Sequence, residues 1–321
     1  MCGSETLGGR RAIRSDGSEV DDDADMTKTI ELRGLTKRFG ATVAVDDLTA
    51  TIVPGSVTAF LGPNGAGKTT TLRMLLGLVA PTAGTATIDG RRYEELPEPV
   101  REVGALLEAS GFHPGRTAFD HLRTLAVAAR LSDDAPARVL AQVDLTAAAD
   151  RRVGAFSLGM RQRLGLAAAM LGDPPVLVLD EPTNGLDPHG IRWLRGYLRE
   201  LSNEGRTVLV SSHVLAEVEQ TADDVIVIAR GRLIRSSSLT ELRAEAGVAT
   251  RVRGPELGEL ADLLQADGYR VRRITEDELV VDAAPEVVGG LAAKHNVVLH
   301  RLFETGGLED VFMRLTQEKQ P

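Results

Sequence analysis

The chain has 321 residues, 43% hydrophobic and 26% charged, a composition that suits one large globular domain with a smaller companion. Its net charge of −9 argues against a surface devoted to nucleic acid, and the single cysteine, Cys2, excludes an internal disulfide and fits a reducing compartment. No window holds the ~18 apolar residues of a membrane span, and the N-terminus lacks a secretory apolar segment, so any work at a membrane requires another chain to supply the spans.

Residues 1–25 are rich in Gly, Ser and Asp, end in the run Asp21-Asp22-Asp23-Ala24-Asp25, and read as a disordered tail. Met26 directly precedes patterned sequence and is the expected working start. The alternating runs Ile30-Glu31-Leu32, Thr42-Val43-Ala44-Val45 and Leu48-Thr49-Ala50-Thr51-Ile52 predict small antiparallel strands. Phe39 lies between two of them, after Lys37-Arg38. Its ring can stack on a nucleobase or simply pack on a hairpin surface.

The buried-strand pattern Ser56-Val57-Thr58-Ala59-Phe60-Leu61 then runs into Gly62-Pro63-Asn64-Gly65-Ala66-Gly67-Lys68-Thr69, a full match to the phosphate-binding pattern G-x-x-x-x-G-K-[ST]. A helix over Thr70–Val79, stopped by Pro81, completes strand, glycine loop and helix. Glycines let backbone N–H groups turn around an anion, and the helix N-terminus adds positive partial charge. Lys68 can reach terminal phosphates, Thr69 can ligate Mg²⁺, and the cradle extends over Gly62–Thr70. The implied ligand is a nucleoside triphosphate with Mg²⁺, its base left open by the loop alone.

Gly84–Gly90 reads as a strand and turn. A helical insert is expected from about 95 to 160, with helical spacing in Phe119–Leu131 and Pro136–Val143. Val176-Leu177-Val178-Leu179 reads as a central parallel strand ending at Asp180-Glu181. A helix over His189–Leu201, a strand Thr207–Ser211, a helix Val214–Thr221 and a hairpin of Val225–Ile228 with Arg232–Ile234 follow. Strands alternating with helices predict an α/β fold. Beyond Leu242 the order changes: strand Ala249–Arg253, helix Glu256–Ala266, strands Arg270–Ile274 and Glu278–Val281, helix Pro285–Lys294, strand Val297–Leu302, helix Leu308–Leu315. That order predicts a small ferredoxin-like α+β domain with no chemical constellation of its own. The expected division is therefore a tail over 1–25, a larger α/β domain carrying the phosphate loop over 26–245 and a C-terminal domain over 246–321.

The stretch Phe156-Ser157-Leu158-Gly159-Met160-Arg161-Gln162-Arg163-Leu164-Gly165-Leu166 narrows the class of nucleotide hydrolase. Here the chain resembles the ATP-binding subunits of ABC transporters, and the stretch resembles their signature motif in the form found in bacterial exporters of the bacitracin and anthracycline resistance type. The resemblance covers about Ile30 to Arg235 and implies a P-loop NTPase with an antiparallel β subdomain and a helical insert. Ser157 stands where a helix begins, so its hydroxyl, the Gly159 N–H and the helix dipole can meet a γ-phosphate. The family assigns that contact, across Ser157-Leu158-Gly159-Met160, to nucleotide held by the partner subunit. Asp180 matches the Mg²⁺-holding aspartate, Glu181 the carboxylate that orients or deprotonates water, and Asn184-Gly185-Leu186-Asp187 the loop that crosses the dimer interface. His213 matches the histidine that hydrogen-bonds the γ-phosphate. Where most members carry glutamine this chain offers Glu108, a carboxylate suited to sensing the metal.

The resemblance implies an ATP-hydrolysing subunit of a multi-chain exporter, dimerising head to tail with a second copy of itself. It would drive a separate transmembrane permease docked around Gly111–Leu122, at the cytoplasmic face of the cell membrane. The signature form and the ending Leu308-Glu309-Asp310-Val311-Phe312 favour export, with antibiotic efflux implied by the subfamily. No nucleic-acid partner is expected. The alternative is a soluble ATPase of the same type serving ribosomes or DNA, against which stand the single cassette, the absence of a heptad run and the negative charge. A further alternative makes the C-terminal domain a binding module that gates the ATPase.

Overall fold

The computed structural model describes residues 12–13, 19–20, 27–107, 111–246, 249–305, 308, 311–312 and 315. The chain divides into two compact units, one of Met1–Glu31, Thr51–Ser56 and Ala86–Leu209, the other of Leu32–Ala50, Val57–Thr85 and Val210–Pro321. Most of the expected tail lies outside the described residues. Ala12–Ile13 and Glu19–Val20 nevertheless pair as a two-stranded antiparallel ladder, where the sequence reading expects disorder.

The β-rich beginning holds two long strands rather than several short ones. Ile30–Phe39 and Thr42–Ile52 flank the tight Gly40-Ala41 connection, and Ile30–Phe39 is the central member of a three-stranded sheet completed by Ala83–Ile88. The interruption in the apolar alternation at Asp46-Asp47 is not a strand end. Asp47 takes a left-handed φ of 52° inside a continuous strand.

In the second unit Val57–Leu61, buried at every residue, pairs in parallel with Asp224–Ala229. That strand turns through Arg230-Gly231, both at positive φ (51° and 79°), into its antiparallel neighbour Arg232–Ser238. Positive φ at both loop residues is the geometry a two-residue hairpin turn demands. The helix after the glycine loop runs over Lys68–Leu75, shorter than the expected Thr70–Val79, and Pro81 does not stop it. Gly77 at φ 68° does: Gly77 N–H donates to Met74 O at 3.2 Å and Leu78 N–H to Arg73 O at 2.9 Å. These two bonds satisfy carbonyls the helix end would otherwise leave unpaired.

The C-terminal segment of this unit contains strands Ala249–Arg253, Val271–Thr275, Glu278–Val281 and Arg301–Thr305, with helices Gly258–Ala266 and Pro285–Lys294 between them. Across the sheet the strands run second, third, first, fourth in chain order, each neighbouring pair antiparallel. The segment has its own core of Val252, Leu260, Leu264, Leu279, Val281 and Val288. Its last strand begins at Arg301 instead of Val297, and Val298, expected within it, is 61% exposed. Of the expected Leu308–Leu315 helix only Leu308, Val311, Phe312 and Leu315 are described. They pack with Ala59, Leu61, Val218, Val225 and Leu242 rather than within the core of the small sheet.

In the first unit the expected insert must start later than residue 95. Pro99–Glu102 is a single helical turn, and Val103–Leu106 is a strand paired in parallel with Val176–Asp180. The insert proper carries helices Ala118–Ala128 and Ala135–Gln142, and the helix Leu158–Ala169 follows it. Gly104 lets the short strand approach that last helix: a Cβ there would sit 2.2 Å from Ala169 O, a backbone atom. Gly104→Ala should therefore destabilise the protein by about 1–3 kcal/mol. Thermal unfolding checks this, and an unchanged midpoint would contradict the packing described.

Candidate functional site

The phosphate loop is built by close backbone approach. Gly62 N–H donates to Ser212 O at 3.3 Å, and a Cβ on Gly62 would lie 2.5 Å from Ile228 O. Gly67 adopts φ 103°, open in practice only to glycine, and its Cβ would meet Ala44 O at 2.5 Å. The hairpin turn seals the other side. Gly231 N–H donates to Ala66 O at 2.9 Å and Asp46 N–H to Gly231 O at 2.8 Å. The sequence shows only a hairpin here and not this supporting role, because a glycine beside an arginine at a hairpin gives no local signal of a distant loop.

Gly67 is the N-cap of helix Lys68–Leu75, which starts with no side-chain cap and no acidic residue in its first turn. Pro63, Asn64 and Gly65 are exposed, while Ala66 is buried and Thr69 and Thr70 are half-buried. Lys68, only 6% exposed, donates from Nζ to Gly62 O at 2.7 Å, holding its charge against the loop. An uncapped helix start, inward-turning glycines and a lysine folded over them fit a phosphate chain. His213 is exposed directly after the strand Thr207–Ser212 whose end bonds Gly62, so the structure brings it, Lys68 and the loop into one unit. Phe39, of the same unit, is 52% exposed with Lys37 Nζ 4.9 Å from its ring centroid.

The remaining candidates lie in the first unit. Ser157 caps helix Leu158–Ala169 by accepting from Met160 N–H at 3.2 Å. The loop Asn184–Asp187 is fitted to this helix start. A Cβ on Gly185, at φ 78°, would fall 2.0 Å from Leu158 Cδ2, and one on Gly159 would sit 3.4 Å from Leu186 Cδ2. Gln162 Nε2 donates to Asn184 O at 3.0 Å. Behind the helix, Arg163 donates to Val143 O at 3.1 Å and stacks over Trp193 at 4.2 Å. Trp193 in turn stacks on Tyr197, whose hydroxyl burial pushes up to about 12. Ser157, Leu158, Gly159, Met160, Asp187 and His189 line an open cleft of about 550 Å³.

Asp180 ends the buried strand, and Glu181 beyond it takes a left-handed φ of 49°. Asn184 Nδ2 donates to Glu181 Oε2 at 3.3 Å, and Asn184 N–H to Glu181 O at 3.1 Å. Asp187 caps helix Pro188–Asn203, its Oδ1 accepting from Gly190 N–H at 2.7 Å. Glu108 lies outside the described residues. Among the described residues no three or more His, Cys, Asp or Glu gather as a metal group, so Mg²⁺ would take most of its ligands from phosphate oxygens and water.

The family model for ABC transporters matches residues 45–184, and that of a domain of unknown function matches 248–309. The uncharacterized ABC transporter ATP-binding protein YhcH of Bacillus subtilis is 35% identical over 297 residues, spanning 91% of this chain and 97% of its own. The bacitracin transport ATP-binding protein BcrA of Bacillus licheniformis is 42% identical over 221 residues, 68% of this chain and 72% of its own. Among solved structures, an ATP-binding subunit of an ABC transporter matches with a TM-score of 0.61 at 31% identity, covering 67% of this chain and 92% of that one.

The geometry separates a structural duty of Asp187 from any contact with nucleotide. Asp187→Ala should cost about 1 kcal/mol through the lost cap, whereas Asp187→Asn, itself a good N-cap, should cost only a few tenths. Urea unfolding of both variants checks this. Equal losses would show that the cap is not what Asp187 contributes to stability.

Proposed function

This chain belongs to the ATP-binding subunits of ABC transporters and couples ATP hydrolysis to transport; we propose that it works as a head-to-tail dimer of two copies that drives a separate transmembrane permease in antibiotic export. The observation that carries this reading is the exposed cleft beside Ser157. Its walls include the capped helix start and Gly185, Leu186 and Asp187, so a helix N-terminus suited to an anion stands open at the surface. A second copy's phosphate loop, with its ATP, would supply that anion. No helix among the described residues is long and apolar enough to cross a membrane, in keeping with spans supplied by the permease and a peripheral place at the cytoplasmic face. Similarity to a bacitracin transport protein supports an antibiotic as cargo.

Within each site the chain's residues bind, orient and stabilise charge. Gly62–Thr70 wrap the phosphates with backbone N–H groups, and Lys68 offsets their charge. Phe39 offers its exposed ring to the adenine. The Thr69 hydroxyl and the Asp180 carboxylate would hold Mg²⁺, with Glu108 as a further carboxylate for the metal. When bound, the ion would neutralise charge on the phosphate oxygens. Glu181 orients the attacking water and accepts its proton, His213 donates to the γ-phosphate, and the Ser157 hydroxyl with the Gly159 N–H closes over the γ-phosphate held by the partner. ATP binding favours the closed dimer and hydrolysis releases it, because the nucleotide forms much of the interface. The Gly111–Leu122 segment receives the permease.

Glu181→Gln removes the proton acceptor while preserving shape. It should abolish turnover and trap a dimer at saturating Mg·ATP, visible as a doubling of mass in size-exclusion chromatography with light scattering. A variant that stays monomeric under those conditions would overturn the dimer mechanism.

A further inference from the structure

The first unit contains a short hydrogen-bonded path that the mechanism above does not use. It starts at Gln162 on helix Leu158–Ala169, whose Nε2 donates to Asn184 O at 3.0 Å. It continues through the Asn184 side chain, whose Nδ2 donates to Glu181 Oε2 at 3.3 Å. The backbone between the two ends has little freedom. Asn184 N–H returns to Glu181 O at 3.1 Å and Leu186 N–H to Thr183 O at 3.0 Å, so residues 181–186 form consecutive tight turns. Glu181 itself is in left-handed backbone conformation, which costs a non-glycine residue about 1–2 kcal/mol and persists only where neighbours impose it. The Leu158 side chain lies over Gly185, where no larger residue fits.

We propose that Asn184 is a positioning residue that fixes the Glu181 carboxylate, and that Gln162 ties the pair to the helix begun by Ser157. The inference rests on the reading of Glu181 as the hydrolytic carboxylate. A carboxylate restrained through Asn184 and Gln162 keeps a fixed aim toward the water it activates. An acceptor misplaced by a fraction of an ångström loses rate without loss of binding, because ATP is held by other residues.

The test uses the purified full-length chain with Mg·ATP, measuring turnover, nucleotide affinity and thermal midpoint for each variant. Asn184→Asp keeps the shape but removes the N–H donor. It should lower kcat about ten- to a hundredfold while ATP affinity stays within about twofold and the midpoint holds. Gln162→Leu should show the same split to a smaller degree. The double variant should fall no further than Asn184→Asp alone, since both act along one path. Glu181→Gln is the control. If it retains wild-type turnover, the role given to Glu181 fails and the path loses its purpose. If it is inactive while Asn184→Asp turns over normally, the positioning role is overturned and the Glu181 reading stands. A fall in ATP affinity and midpoint along with kcat would mark Asn184 as structural, and additive losses in the double variant would remove Gln162 from the path.

Discussion

Backbone packed directly on backbone is the constraint on which the nucleotide half of this protein depends. Ala44 O lies 2.5 Å from where a Cβ of Gly67 would stand and 2.7 Å from where one of Gly231 would stand. One carbonyl thus prevents side chains at two positions on separate turns. Together with the Gly62 approach to Ile228 O, it brings the Thr42–Ile52 strand, the phosphate loop and the Arg230-Gly231 turn into mutual backbone contact. A loop held in this way needs little reorganisation to receive phosphate, and electrostatic stabilisation of developing charge draws its strength from such rigidity. Lys68 adds its charge from a nearly buried position without a separate scaffold.

The first unit solves a different problem with the same device. Its catalytic candidates sit at the end of a buried strand and at the start of a helix, elements that share no sequence neighbourhood. Gly185 allows Leu158 to cross the loop, and the Gly159 start faces Leu186. The two motifs become one surface because glycine occurs where the contact is closest. The helix behind that surface is braced by Arg163, whose guanidinium bonds the Val143 carbonyl and covers Trp193. Bracing of this kind gives the Ser157 helix a defined place from which to meet an anion.

Much of this organisation was legible in the sequence, for identifiable reasons. The glycine loop, the all-apolar strands Val57–Leu61 and Val176–Asp180, and the Ser157 helix start each write their role in local residue types at fixed spacing. What escaped was set by contacts remote in sequence. Val103–Leu106 is only four residues long and contains Gly104 and Ala105, so it blends into an alanine-rich helical stretch, yet its pairing with Val176–Asp180 makes it a strand. Gly77 ends its helix before Pro81 can, through a C-terminal motif that a search for proline overlooks. Leu308 and Val311 follow the small sheet in sequence but pack with Ala59 and Leu61. The bond from Asn184 to Glu181 depends on the turn between them, which residue types alone do not specify.

The central claim is that each hydrolytic site takes its phosphate loop from one copy and its Ser157 helix from another. Mixing two inactive variants, Lys68→Ala and Ser157→Arg, tests it most directly. In a mixed dimer one site would combine the intact loop of the Ser157→Arg chain with the intact helix of the Lys68→Ala chain, so ATP hydrolysis should return on mixing, up to about half the wild-type rate per mixed dimer if the sites act independently and less if they are coupled. If each chain builds its site from its own loop and helix, mixing restores nothing, and a mixture as inactive as its components, with mixed dimers shown to form, would contradict the account.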